Sequence, residues 1–174
     1  MTGNFIYAPI FDEHFYREAN GLGADGTLEH FIAHGDRAGF DPSPYFSTSY
    51  YRMRYPDWQV SGALTTVEDF LRRLDAGDVR QPHPLIDPAY YAARYPDLEK
   101  LGPKSILHFS RIGDREARSP SAGFDADFYQ RCYLRLEQES PFRHFIAEGR
   151  KAGNQPMPQS RSQEDSKAYV HALT

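Results

Sequence analysis

Apolar and polar positions along the chain follow a two-part pattern that recurs four times. The first part sets an apolar residue, a small polar residue and then an aromatic pair. It reads Phe11-Asp12 to Phe15-Tyr16, Phe46-Ser47 to Tyr50-Tyr51, Ile86-Asp87 to Tyr90-Tyr91 and Phe124-Asp125 to Phe128-Tyr129. These starts lie 35, 40 and 38 residues apart. The second part spaces apolar residues at the helical interval, as in Leu28, Phe31 and Ile32 or Phe142, Phe145 and Ile146. Each part predicts one short helix, and neither helix is long enough to be stable by itself. Paired helices must therefore bury each other's aromatics. The pattern predicts an all-α fold of about four tandem helical hairpins, in a compact or solenoid-like array. The hairpins span 11–45, 46–85, 86–123 and 124–156, between an N-terminal arm (1–10) and a polar C-terminal tail (157–174).

Local signals agree with that division. Asp12, Ser47, Asp87 and Asp125 are placed to accept from the free donors of a first turn. Pro88 suits a first-turn position because it has no N–H to leave unmade. Tyr91 and Tyr95 lie one helical turn apart, and Pro96 disfavours helical geometry at Tyr95. The Tyr-Pro-Asp corner at Tyr95–Asp97, with its sister at Tyr55–Asp57, should end the first helix. Thr27, Thr65, Ser105 and Ser140 are candidate caps for the second helices, with Thr65 and Glu68 spaced as a capping box. Gly35, Gly77, Gly113 and Gly149 are read as left-handed stops.

Composition narrows the function. The chain has 174 residues, of which 12 are Phe, 12 Tyr and one Trp, and its net charge is −4. No basic run offers the clustered cations that nucleic acid requires. The single cysteine, Cys132, excludes a disulfide framework and a cysteine zinc site, and its apolar neighbours suggest an inert core thiol. The first residues lack the basic-then-apolar order of a signal peptide, and no apolar stretch has bilayer-spanning length. Synthesis in the cytoplasm without membrane insertion is the expectation.

Candidate chemistry is sparse. The nucleophile-elbow, phosphate-loop, dinucleotide and zinc-protease motifs are absent from the sequence. His30, His108 and His144 hold equivalent places in three hairpins, with Asp69 in the second, which points to one structural job repeated. His30 and His34 have the spacing to share a metal, but no third ligand is evident. Neither a metal nor a cofactor is expected. Gly35-Asp36-Arg37 and Gly113-Asp114-Arg115 read as solvated loop pairs, with Arg115, Arg118, Arg150 and Lys151 available to an acidic ligand. Trp58 stands where the sister corner has Leu98. Its ring either fills the core or stacks on a sugar or protein partner.

The combined pattern, running from Ile86-Asp87 through Tyr90-Tyr91 and Tyr95-Pro96-Asp97-Leu98 to His108-Phe109, Gly113, Glu116, Arg118 and Pro120, resembles a repeat of bacterial proteins that handle surface polysaccharide. Such repeats accompany glycosyltransferase and sulfotransferase domains and occur in adhesin-like chains. The resemblance covers about four-fifths of the chain, and the outer hairpins lose the Tyr-Pro-Asp corner. It implies a protein that recognises capsule-like polysaccharide, and with no catalytic motif the reading is non-catalytic. The expected lack of a signal peptide and the arm-like ends favour a spike or fibre component of a phage-like particle. The alternatives are a cytoplasmic accessory subunit of polysaccharide biosynthesis and a purely structural part. Trp58, Arg54, Tyr55, Asp57, Arg94, Asp97, Arg115 and Arg118 are the candidate ligand contacts. The termini are candidate attachment points to a protein partner, and homo-oligomeric or multivalent display would raise a modest affinity.

Overall fold

A computed structural model describes residues 6–135 and 139–158. The fold is all-α: no strand occurs among the described residues, only the isolated bridges Ser43–Phe46 and Ser121–Phe124. The described residues fall into two compact units, one up to His83 and one from Pro84 onward. The first unit holds α1 (Glu13–Asn20), α2 (Leu28–His30), α3 (Asp36–Ala38), α4 (Thr48–Arg54) and α5 (Thr66–Asp75). The second holds α6 (Pro88–Arg94), α7 (Ser105–His108), α8 (Ala126–Tyr133) and α9 (Pro141–His144).

Aromatic burial organises each hairpin. Tyr16, Tyr51, Tyr91 and Tyr129, the second members of the four aromatic pairs, are fully buried. Each packs edge-on against the phenylalanine of the facing helix, Phe31, Phe70, Phe109 or Phe145. Edge-to-face pairs gain from the ring quadrupoles beyond their buried area. The chain then returns to the start of its own hairpin. The N–H groups of Asp12, Ser47, Asp87 and Asp125 donate to the carbonyls of Pro42, Pro82, Pro120 and Pro156 at 2.9–3.0 Å. A proline carbonyl is a usable acceptor although proline has no donor of its own.

The first helices stop where Tyr-Pro dictates. α4 and α6 end at Arg54 and Arg94, and Pro56–Val60 and Pro96–Lys104 continue as 3-10 turns. The second helices differ from expectation in three of four hairpins. After α2, α7 and α9 the backbone widens into a π-helical turn, at Phe31–Gly35, Phe109–Gly113 and Phe145–Gly149. Gly35, Gly113 and Gly149 are therefore not left-handed stops; only Gly77, at φ 83°, is one. A Cβ on any of the three would overlap the hydroxyl of Tyr16, Tyr91 or Tyr129. They are glycines to make room for a phenol. The left-handed residue comes four positions later, at Gly39, Ala117 and Gly153.

Capping also departs from the local reading. Asp12, Asp87, Asp125, Thr27 and Thr65 accept from their own first turns, and Ser47, Ser105 and Ser140 do not. The capping box is offset, since Glu68 Oε2 accepts from the N–H of Leu64. At Thr48 the donor goes to Asp41 Oδ1 instead of Ser47. Asp36 and Asp114, expected in solvated pairs, are buried and serve the next hairpin. Asp36 Oδ1 accepts from the N–H and Oγ1 of Thr66, and Asp114 accepts from the N–H groups of Phe142 and Arg143. A carboxylate on free helix donors also suits the positive end of the helix dipole.

Three further expectations are corrected or bounded. Cys132 is exposed, so it is not a core thiol. Tyr7 and Ile10 are buried, and Tyr7 shares a 3.0 Å hydrogen bond with Thr65 Oγ1, so residues 6–10 are part of the first unit and not a free arm. Met157 is buried, while positions 1–5 and 159–174 of the expected arm and tail lie outside the described residues.

Two stability measurements follow from this packing. Gly113→Ala should destabilise by about 1–3 kcal/mol through overpacking against Tyr91, although alanine is the better helix former. In a Tyr91→Phe background, which lacks the hydroxyl, the same change should cost less. A urea midpoint that rises with Gly113→Ala would contradict the packing account. Tyr91→Ala should cost ~3 kcal/mol or more by the same assay, and an unmoved midpoint would place that ring outside the core.

Candidate functional site

The hydroxyl of each of the four fully buried tyrosines meets a polar side chain on the facing helix. Tyr16, Tyr91 and Tyr129 lie 2.9, 3.1 and 2.8 Å from Nδ1 of His30, His108 and His144. Tyr51 donates to Asp69 Oδ2 at 2.7 Å. Tyr129 also accepts from Asn154 Nδ2 at 3.0 Å. Burial raises these phenols above their ordinary range, Tyr16 to about 12. The repeated histidines thus tie helix to helix. The His30 and His34 rings are 5.6 Å apart, yet no group of three metal-ligating residues occurs among the described residues.

The Tyr-Pro-Asp corners are built on one plan within each unit. In the first, Arg80 Nη1 and Nη2 donate to Asp57 Oδ1 and Oδ2 at 3.0 and 2.6 Å, a bidentate pair. The guanidinium lies over the Tyr55 ring, 4.7 Å from its centroid, and the Tyr55 hydroxyl accepts from the Gln81 N–H at 2.9 Å. Arg73 adds a second cation 3.0 Å from Asp57. The hydrogen bonds from Arg80 hold the Asp57 carboxyl below its usual range, and those from Asp57 push Arg80 up. In the second unit Arg118 Nη1 donates to both oxygens of Asp97, at 3.0 and 2.8 Å, and lies over Tyr95 at 4.8 Å. The Tyr95 hydroxyl accepts from the Ser119 N–H at 2.7 Å.

The expected ligand contacts divide accordingly. Tyr55 and Asp57 join Arg80 in one cluster, and Asp97 and Arg118 join Tyr95 in another. Arg118 is thereby committed to its own corner. Arg54, Arg94 and Arg115 are exposed, with Arg54 5.5 Å from the Tyr55 ring. Trp58 follows directly on the first corner and is half-buried, whereas Leu98 at the matching place is buried. The cation on Trp58 is Arg52, 5.2 Å from the ring centroid.

Arg80 and Arg52 escape a motif search. Arg80 had a usable signal: it stands two residues before Pro82, as Arg118 does before Pro120. Arg52 had none, because its contact depends on how the 3-10 turn folds back toward α4.

The buried phenols predict an alkaline transition. A folded pKa above the unfolded one gives stability that is complete below the unfolded value, here 10.0, and is lost as pH rises toward the folded one. Tyr16, Tyr51, Tyr91 and Tyr129 should therefore ionise only as helical circular dichroism disappears. Tyrosinate absorbance that saturates for all twelve tyrosines with the helical signal intact would refute this.

Compared with known protein families, with characterised proteins and with solved structures, the chain matches none.

Proposed function

We propose that the protein is a non-catalytic binding module for cell-surface polysaccharide, and that Trp58 is its principal contact. The observation that carries the reading is the contrast at the two corners. The tyrosine, aspartate and arginine of each corner are engaged with one another, which fixes the turn rigidly. In the first unit the next side chain is a half-buried tryptophan left at the surface of that rigid turn. An aromatic face suits the apolar C–H patch of a sugar ring, and a guanidinium pairs with acidic substituents. Arg54, exposed beside Tyr55, and Arg52, over the indole, supply that charge.

The resemblance of the repeat to polysaccharide-associated proteins points the same way. A single contact of this kind is modest, so display of several copies, on a particle or in an oligomer, would provide the useful affinity. A spike or fibre component of a phage-like particle fits that need.

The test compares wild type and Trp58→Ala, both shown to be folded, as multivalent displays on a capsular glycan array. Trp58→Ala should lose about 1–3 kcal/mol per site, the range of an aromatic stacking contact. Equal binding by both removes Trp58 from the role. No binding by the wild-type display favours a purely structural part.

A further inference from the structure

Arg52 covers one face of the Trp58 ring, a face on which a sugar ring could otherwise stack. Its guanidinium carbon is 5.2 Å from the indole centroid, within cation–π range. Its terminal nitrogens are committed: Nη2 donates to Asp36 Oδ2 at 2.8 Å and Nη1 to the Arg37 carbonyl at 3.1 Å. Two donors remain. Arg52 Nε–H and Trp58 Nε1–H are both shielded from solvent without a hydrogen-bond partner. A buried donor left unmade is costly and uncommon in folded proteins. Two of them on one stacked pair mark a contact that covers the ring but leaves its polar edge unsatisfied.

We infer that Arg52 is a built-in occupant of the Trp58 stacking site, and that a hexuronate unit of a polysaccharide displaces it. The inference rests on the polysaccharide reading above. In the exchange, the C–H face of the pyranose replaces the guanidinium over the indole. A ring or hydroxyl oxygen accepts from Nε1–H, and the displaced guanidinium pairs with the uronate carboxylate. The movement carries a cost that the sugar contacts must exceed, because the buried Asp36 Oδ2 gives up its cation. Asp36 keeps its two bonds from Thr66 when Arg52 leaves, and the Arg52 side chain is already 27% exposed. The nearby carboxylate of Asp57 is neutralised by Arg80 and Arg73, so it does not repel an acidic sugar.

Trp58 is the single tryptophan, which makes its fluorescence a direct reporter. Acrylamide quenching and sugar titration are measured for wild type and Arg52→Gln, with an oligogalacturonate and a neutral galactose oligomer of equal length. In the variant, Trp58 should be quenched more readily. The neutral oligomer should bind about two- to fivefold more tightly, the range set by loss of an exposed cation–π contact. The acidic oligomer should bind more weakly, because its charge partner is gone. Unchanged quenching in folded Arg52→Gln overturns the inference and leaves the polysaccharide reading standing. Increased quenching with neither oligomer bound by either protein overturns both, since no sugar then takes the vacated face. If Arg52→Gln does not fold, Asp36→Asn releases the Nη2 anchor and keeps an oxygen for Thr66. Both oligomers should then bind more tightly, and equal affinity refutes the displacement.

Discussion

A phenol buried between two short helices must place its hydroxyl against a polar group, and each hairpin is arranged around that requirement. Tyr16, Tyr91 and Tyr129 meet a histidine nitrogen, and the glycine beyond that histidine leaves room for the hydroxyl. The π-turn ends at the same glycine in all three. In the second hairpin all of these features change together. Asp69 replaces the histidine, Leu74 stands where the glycine would be, and α5 runs as a regular α-helix. A buried carboxylate also needs cations, and Arg73 and Arg80 lie 3.2 and 3.6 Å from Asp69. What the exchange from histidine to aspartate adds beneath the first corner is this reach of Arg73 and Arg80 to Asp69, since the second corner has its own aspartate–arginine pair with the histidine in place.

That cluster separates the two corners in character. Arg80 serves Asp57, Asp69 and Asp78 at once and is almost wholly buried. Arg118 serves Asp97 and Glu116 in a more open setting. In the proposed function, this heavily bonded turn would hold Trp58, which follows directly upon it, in a fixed orientation. The second corner carries Leu98, which points to packing instead of presentation.

Much of the fold was legible in the sequence because its signals are local. The aromatic pairs, the Asp12, Asp87 and Asp125 caps and the Tyr-Pro stops act within one turn of the residues that announce them. What was not legible depends on partners distant in the chain. Gly35, Gly113 and Gly149 look like helix stops until the tyrosine hydroxyl 19 to 22 residues earlier is set against them. Ser140 looks like a cap because the carboxylate that serves its helix, Asp114, comes from the preceding hairpin. At the candidate site, Trp58 stood out as the single tryptophan, but the cation over its ring did not. Arg54 is nearer in sequence, and only the backbone path of Pro56–Val60 brings Arg52 over the ring.

The bonds from Asp36 to Thr66 and from Asp114 to Phe142 and Arg143 also constrain how such a chain can change length over evolution. Each hairpin that supplies a carboxylate leaves a buried charge unsatisfied if its successor is deleted, and the successor loses the partner of its first turn. An in-frame duplication or loss is therefore tolerated most readily when it moves donor and acceptor together. Within each compact unit the heritable piece is the pair of hairpins, although the sequence repeat is a single one.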